Sequence, residues 1–149
     1  MRRISALMAC AITAGAVLLP SSAAAAGAEQ KAINVLNDVR RASGLAPLRE
    51  SGSLNRSSGS YARRMLRHDF FGHGASIDVA GGFRSAGETI ACHGGWNARP
   101  RRTIVRWMHS PGHRTVLLSP GFRWVGMGLA RGRLGSRVVT TWVAHVGSR

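Results

Sequence analysis

The stretch Trp107–Ala130, WMHSPGHRTVLLSPGFRWVGMGLA, joins a helix end, a Pro-Gly turn and the start of a strand. His109 and His113 stand at i and i+4, a spacing that lets one helix face hold a metal ion. Pro111-Gly112 lies between them and stops the helix, so the two rings need not converge. Ser110 is a candidate nucleophile by type. Its surroundings lack the first glycine of a G-x-S-x-G elbow, and the order is helix then turn rather than strand then helix. The plainer role of Ser110 is to bond the last helical turn. In this reading Trp107 and Met108 face a core and the Ser-Pro-Gly turn redirects the chain.

Upstream, Ala32, Val35, Leu36 and Val39 form an apolar stripe within EQKAINVLNDVRRASG, and Gly44 closes that helix. Pro47 makes LAPLRES extended. A second helix follows a serine cap at Ser51 or Ser53, with Leu54, Ser58, Tyr61, Ala62, Met65 and Leu66 inward. His68 closes it as a cap, and Phe70 and Phe71 are expected in the core. Residues 74–86 are glycine-rich and irregular. GETIACHG is short and apolar, with His93 expected at the surface. Asn97 is the expected cap of the third helix, RRTIVRWMHS, and HRTVLLSPGF holds one helical turn at most. Downstream, Val125, Met127 and Leu129 alternate, as do Val138, Thr140 and Trp142, which predicts an antiparallel pair of strands. Gly126 and Gly128 leave one face of that pair bare for a closely packed neighbour. Helices first and strands last predict an α+β domain.

The chain opens with Arg2 and Arg3, an uncharged run from Ala6 to Leu19, then Pro20 and small residues. That order reads as a signal peptide over residues 1–26, cut after Ala24-Ala25-Ala26, with one domain over 27–149. The run falls short of the roughly 20 apolar residues of a membrane span. Secretion, to an extracellular or periplasmic location, is therefore expected, with no transmembrane segment after processing. Cys10 leaves with the signal, and Cys92 then has no internal disulfide partner; burial is its expected state. Lys and Arg number 21 against 6 Asp and Glu, a net charge of +15, which falls to +13 without Arg2 and Arg3. Such a balance favours anionic partners such as cell-wall polymers or lipid surfaces. The arginines are scattered and no basic helix is interleaved with aromatics, so specific nucleic-acid recognition is not expected.

Carboxylates are scarce, which makes Glu88 informative: it is the only acid after Asp78. Its small and apolar neighbours suggest partial burial, and a carboxylate so placed needs a cationic or hydrogen-bonding partner. A histidine is the natural one, since a carboxylate bonded to an imidazole N–H fixes its tautomer and raises its basicity.

The blocks LNDVRRASGLAPL, YARRMLRHDFFGH, GETIA, WMHSPGHRTVLLSPGFRWVGMGLA and TWVAHVG occur in that order. Together they resemble the bacterial branch of the CAP superfamily (cysteine-rich secretory proteins, antigen 5 and pathogenesis-related 1), also called SCP domains. The resemblance runs from about Gln30 to Gly147. It implies an α-β-α sandwich, with a small, mainly antiparallel sheet between helix layers. It also implies a cleft holding His73 of FFGH, Glu88 of GETI and His113 of SPGHR. The family's second acid falls near Ser110, where this chain has none. Thr89 and Val116 replace two asparagines of the family pattern. Some members bind a divalent ion such as zinc through the two histidines. The resemblance therefore implies His73 and His113 as metal ligands, with Glu88 orienting them; no cofactor is required.

The reading that follows is a non-enzymatic, monomeric module that binds a ligand or partner such as a lipid, a sterol or an anionic wall polymer. One alternative is a metal-assisted hydrolase using His73, His113 and Glu88. Another is a basic module held on anionic polymers or lipids by charge.

Overall fold

The computed structural model describes residues 22–79 and 81–149. Most of the expected signal peptide lies outside the described residues. Helix α1, Ser22–Ala42, begins ahead of the expected cleavage point. Its stripe buries Ala32, Ile33 and Leu36 completely or nearly so, with Val35 and Val39 at the margin. Gly44 ends it at φ +72, a conformation that favours glycine. Strand β1 is only Arg49–Glu50. Asn37 of α1 ties the segment before it, donating to the Leu48 carbonyl at 3.0 Å and accepting from the Leu48 N–H at 2.8 Å.

Helix α2, Gly52–Arg67, is followed by β2, Ser85–Gly94; α3, Pro100–His109; α4, Pro111–Leu117; β3, Trp124–Leu134; and β4, Arg137–Ser148. The sheet order is β1-β3-β4-β2. β1 pairs with β3 in parallel, and the other two pairings are antiparallel. A two-residue turn, Gly135-Ser136, joins β3 to β4, with glycine at φ +57 as its first residue.

α2 lies on one face of the sheet and α1, α3 and α4 on the other. The close approach of α2 depends on two glycines. A Cβ at Gly126 would stand 2.1 Å from the Leu54 carbonyl carbon, and one at Gly128 would stand 2.2 Å from the Gly59 nitrogen. This is the bare face expected of the alternating strand. Beyond the short β1, the free edge of β3 is covered by side chains: Asn55 accepts from the Met127 N–H at 3.0 Å and Glu29 from the Leu129 N–H at 2.8 Å. The larger core centres on Leu36, Trp107, Met127 and Trp142, and the smaller, under α2, on Met65, Ile90 and Val143. The result is the α+β sandwich that the sequence predicts.

Several local expectations need correction. Residues 111–117 form a seven-residue helix, because Pro111 at its first position starts a helix as readily as it ends the previous one. α3 is capped by Arg99 in the left-handed region, φ 50, and not by Asn97. Phe70 packs on the smaller core, but Phe71 is 44% exposed. His93 is buried at 5% exposure. Its strand continues past the irregular segment, and α3 supplies a partner in Thr103.

Buried Arg40 organises the far end of α4. Its guanidinium donates to the carbonyls of Leu117 at 2.7 Å, Ser119 at 3.1 Å and Ala46 at 3.0 Å. Backbone acceptors replace a carboxylate here, and the cation sits where the helix leaves its last carbonyls unpaired.

Candidate functional site

Glu88 lies on β2 directly opposite His145 of β4. Strand alternation sends Gly87 toward α4, where Val116 occupies the space a side chain would need, and sends Glu88 to the α2 face. There its two oxygens are held separately. His145 donates from Nε2 to Oε2 at 2.9 Å, and His73 donates from Nδ1 to Oε1 at 2.8 Å. The Glu88 side chain is 7% exposed and that of His145 3%, whereas the His73 side chain is 54% exposed. Burial pushes the Glu88 carboxyl up, but the hydrogen bonds and charge of the two histidines outweigh it and hold the group below its usual value.

His145 continues the chain of contacts. In its neutral form Nε2 carries the proton toward Glu88, and Nδ1 accepts from the Ser57 hydroxyl at 2.7 Å. Ser57 lies on α2, and its hydroxyl also stands 3.1 Å from the Leu54 carbonyl of its own helix. The order Ser57–His145–Glu88 is that of a hydrolytic triad. The serine, however, sits inside a helix whose N–H groups are already bonded, so no adjacent donors face its hydroxyl. The hollow beside it, about 120 Å³, is small for a substrate.

The loop carrying His73 is held by Tyr61 of α2, which donates to the Gly72 carbonyl at 2.8 Å. At the end of α2, Asp69 adopts φ 51 and accepts from the Gly135 N–H. His73 thus reaches around the free edge of β2. His113 of α4 meets it there from the opposite face, with ring centroids 6.2 Å apart and planes at 47°. His113 also lies 6.5 Å from the Trp107 ring, centroid to centroid. Neither of its ring nitrogens bonds to a described residue. Burial first, and then the charge of His73, lower the His113 pKa, which keeps the imidazole neutral near pH 7.

The expected residues are therefore only partly brought together. His73 and Glu88 are bonded, His73 and His113 face each other, and His113 makes no hydrogen bond to Glu88. Ser110 caps α4 in extended conformation without a side-chain cap bond. His109 bonds the Val105 carbonyl of its own helix and takes no part. Sequence reasoning misses His145 and Ser57. His145 reads there as one more position in a strand, and the only signal is a histidine in an otherwise apolar run.

Two imidazoles on one zinc ion, with bonds of about 2.0 Å, hold their centroids roughly 5–6 Å apart. The observed spacing is at that limit. Glu88 leaves Nε2 of His73 free, and His113 is neutral, so the pair suits an open two-imidazole site. Among the described residues no three of His, Cys, Asp or Glu are grouped to hold a metal ion. A closed structural site does not fit.

A cavity of about 590 Å³ adjoins His113, between the edge of β2, α3 and the β3–β4 turn. Trp107 donates to the Ile90 carbonyl at 2.9 Å and Arg106 to the Cys92 carbonyl at 3.0 Å, fastening α3 to that edge. Cys92 is half-buried there, and burial pushes its thiol pKa up.

A family profile described as CAP: Cysteine-rich secretory protein family matches residues 33–146. The chain is 31% identical over 118 residues to the uncharacterized protein YkwD of Bacillus subtilis, covering 73% of this chain and 44% of that protein. It thus spans less than half the length of this relative. Among solved structures, an extracellular SCP-domain protein of Bacillus anthracis superposes with a TM-score of 0.68 at 20% identity. The alignment covers 83% of this chain and 41% of that one. An outer surface protein of Borrelia burgdorferi gives 0.67 at 17% identity, over 83% and 93% of the respective chains. Both show a shared fold. No described helix is long and apolar enough to cross a membrane. The profile match over most of the chain, on the fold described above, places the protein in the CAP, or cysteine-rich secretory protein, family.

Proposed function

We propose that this protein is a secreted, non-enzymatic CAP-domain module that takes a ligand in the cleft at the free edge of β2. The observation that carries this reading is His113: a half-buried, neutral imidazole with both nitrogens unbonded among the described residues, beside a cavity of about 590 Å³. That volume lies in the range of small-molecule sites, about 300–1,000 Å³. The leader-like start and the expected cut before Gly27 support export, and Glu29, which binds the edge of β3, is retained after such a cut. Two structural relatives, one described as an extracellular protein and one as an outer surface protein, agree with that location. The partners that fit the charge are anionic wall polymers or lipid surfaces, with a lipid or sterol as an alternative occupant of the cleft.

Co-sedimentation with wall material and with phosphatidylglycerol vesicles, at low and high salt, tests this reading. A cleft ligand predicts binding that high salt weakens but does not abolish and that is lost in His113→Ala. Binding that vanishes at high salt and ignores His113→Ala would reduce the protein to a basic adhesive surface. Equal, salt-resistant binding by both proteins would move the site elsewhere.

A second reading, a metal-assisted hydrolase, draws on the pairing of His73 and His113. A bound zinc ion would supply an activated water, and Glu88 would hold the proton at His73 Nδ1. Its test is metal content: equal zinc in the wild type, His73→Ala and His113→Ala excludes these ligands.

A further inference from the structure

The cavity beside His113 carries an unusual charge arrangement. Arg106 of α3 and Arg137 at the start of β4 both line it, and no carboxylate among the described residues does. Among the described residues neither guanidinium has an ion-pair partner, and the only arginine–carboxylate pair is Arg41–Asp38, on the surface of α1. Arg106 is pre-positioned, because one of its nitrogens is bonded to the Cys92 carbonyl at 3.0 Å and stands 3.3 Å from His93 Nδ1. The rest of its fork remains free. Arg137 makes no side-chain hydrogen bond to any described residue.

The same field reaches the neighbouring groups. Charge from Arg106 and Arg137 acts on the Cys92 thiol, and Arg106, Arg102 and Arg99 all disfavour a proton on His93. Glu88, the nearest acid along β2, has both oxygens engaged by histidines and does not line the cavity. The rest of the lining is mixed: Ile90, Trp107, Leu134 and the exposed Phe71 supply apolar surface, and Cys92, Ser110 and His113 supply polar groups. Two unpaired guanidiniums that line one hollow and both act on Cys92, beside apolar wall, match a planar or tetrahedral anion on a compact apolar body.

We propose that this cavity is an anion subsite of the cleft: Arg106 and Arg137 bind a carboxylate or phosphate, and the apolar body it carries lies along Leu134 and Phe71 toward His113. The proposal rests on the cleft reading above and names the ligand chemistry. Two guanidiniums attract the anion at long range and then fix it by paired hydrogen bonds, while the apolar walls discriminate against a free inorganic ion.

The test uses 3-phenylpropanoate, its neutral amide, phenyl phosphate and inorganic phosphate, each titrated into the protein by NMR. The carboxylate and phenyl phosphate should bind at least tenfold more tightly than the amide and than inorganic phosphate. Arg137→Gln, which breaks no side-chain hydrogen bond within the described fold, should remove that preference, and Arg137→Lys should keep part of it. Bound carboxylate should also slow alkylation of Cys92, with Cys92→Ala as the control. Equal binding of acid and amide, an unchanged affinity in Arg137→Gln, or no binding of either anion would overturn the anion subsite. If the acid and amide bind equally and both are lost in His113→Ala, the cleft stands and only the anion assignment fails. If Arg137→Gln removes acid binding while His113→Ala leaves it intact, the anion site stands apart from the proposed cleft.

Discussion

Glu88 and His145 are opposite one another in the β2–β4 register, and their side chains are joined at 2.9 Å. With His73 on the other oxygen, a nearly buried carboxylate is bracketed by two imidazoles. The free Nε2 of His73 is the end of that chain that reaches the cleft.

This carboxylate should make stability depend on pH. Its folded pKa lies below the ordinary 4.5. The stability it contributes is therefore complete above about pH 4.5 and is lost as pH falls through the lower, folded value. Glu88→Gln should cost about 2–3 kcal/mol at pH 7, since two charge-assisted hydrogen bonds weaken. Urea unfolding at pH 7 and at pH 3 should show the gap to the wild type narrowing in acid. A gap that widens in acid would contradict the assignment.

His93 adds a second loss of stability in acid, at higher pH, through a proton it refuses. Burial, with the charges of Arg106, Arg102 and Arg99, lowers its pKa from 6.5 to about 4. Nε2 donates to the Thr103 hydroxyl at 2.8 Å, and Arg106 faces Nδ1, so the neutral ring suits its partners. Folding is favoured above pH 6.5 and loses up to about 3 kcal/mol as pH falls from 6.5 toward 4. In His93→Gln that part of the stability–pH curve should flatten, as read by thermal unfolding across the same window.

Gly128→Ala should destabilise the fold by at least about 3 kcal/mol, because the new Cβ would lie 2.2 Å from α2 backbone that has nowhere to move. Gly135→Ala, with open space around it, should cost less, by strain at φ +57 alone. Comparing denaturation midpoints of the two variants distinguishes packing from conformational strain.

Arg40→Met should leave the Leu117, Ser119 and Ala46 carbonyls without their donor and cost at least about 2 kcal/mol. Hydrogen exchange should show α4, and with it His113, opening more readily than α2. Uniform loss of protection over the whole chain would deny Arg40 a specific role at α4.

Thr89 offers a change of the other sign. Its hydroxyl is buried without a partner among the described residues. Thr89→Val should be neutral or stabilise by about 1 kcal/mol, because a desolvated, unbonded group is removed. A loss of more than about 1 kcal/mol in chemical denaturation would reveal a bond through water.

Much of this architecture is legible from residues. The stripe of α1, the inner face of α2 and the paired glycines of β3 each follow from periodicity, and Gly126 and Gly128 even announce the helix that covers them. His73 and Glu88 come from motif resemblance and are found bonded. Residues joined by register or by long-range packing are less legible. Nothing local in TWVAHVG says that His145 faces Glu88, since that depends on how β2 aligns with β4. Arg40 resembles any basic residue at a helix end until α4 is folded against it. His93 looks exposed beside glycines, and only α3 buries it. Phe71 looks like core but stays at the rim, because the chain turns toward His73 immediately after it.

The central claim is that ligand enters between His73 and His113. Histidine-selective 1H–15N NMR, recorded while solubilised wall polymer or lipid micelles are added at high salt, tests it most directly. The His113 and His73 ring signals should move together, while those of His109 and His93 stay in place. Movement of His109 with an unchanged His113 would put the ligand on the outer face of α3 and contradict that claim.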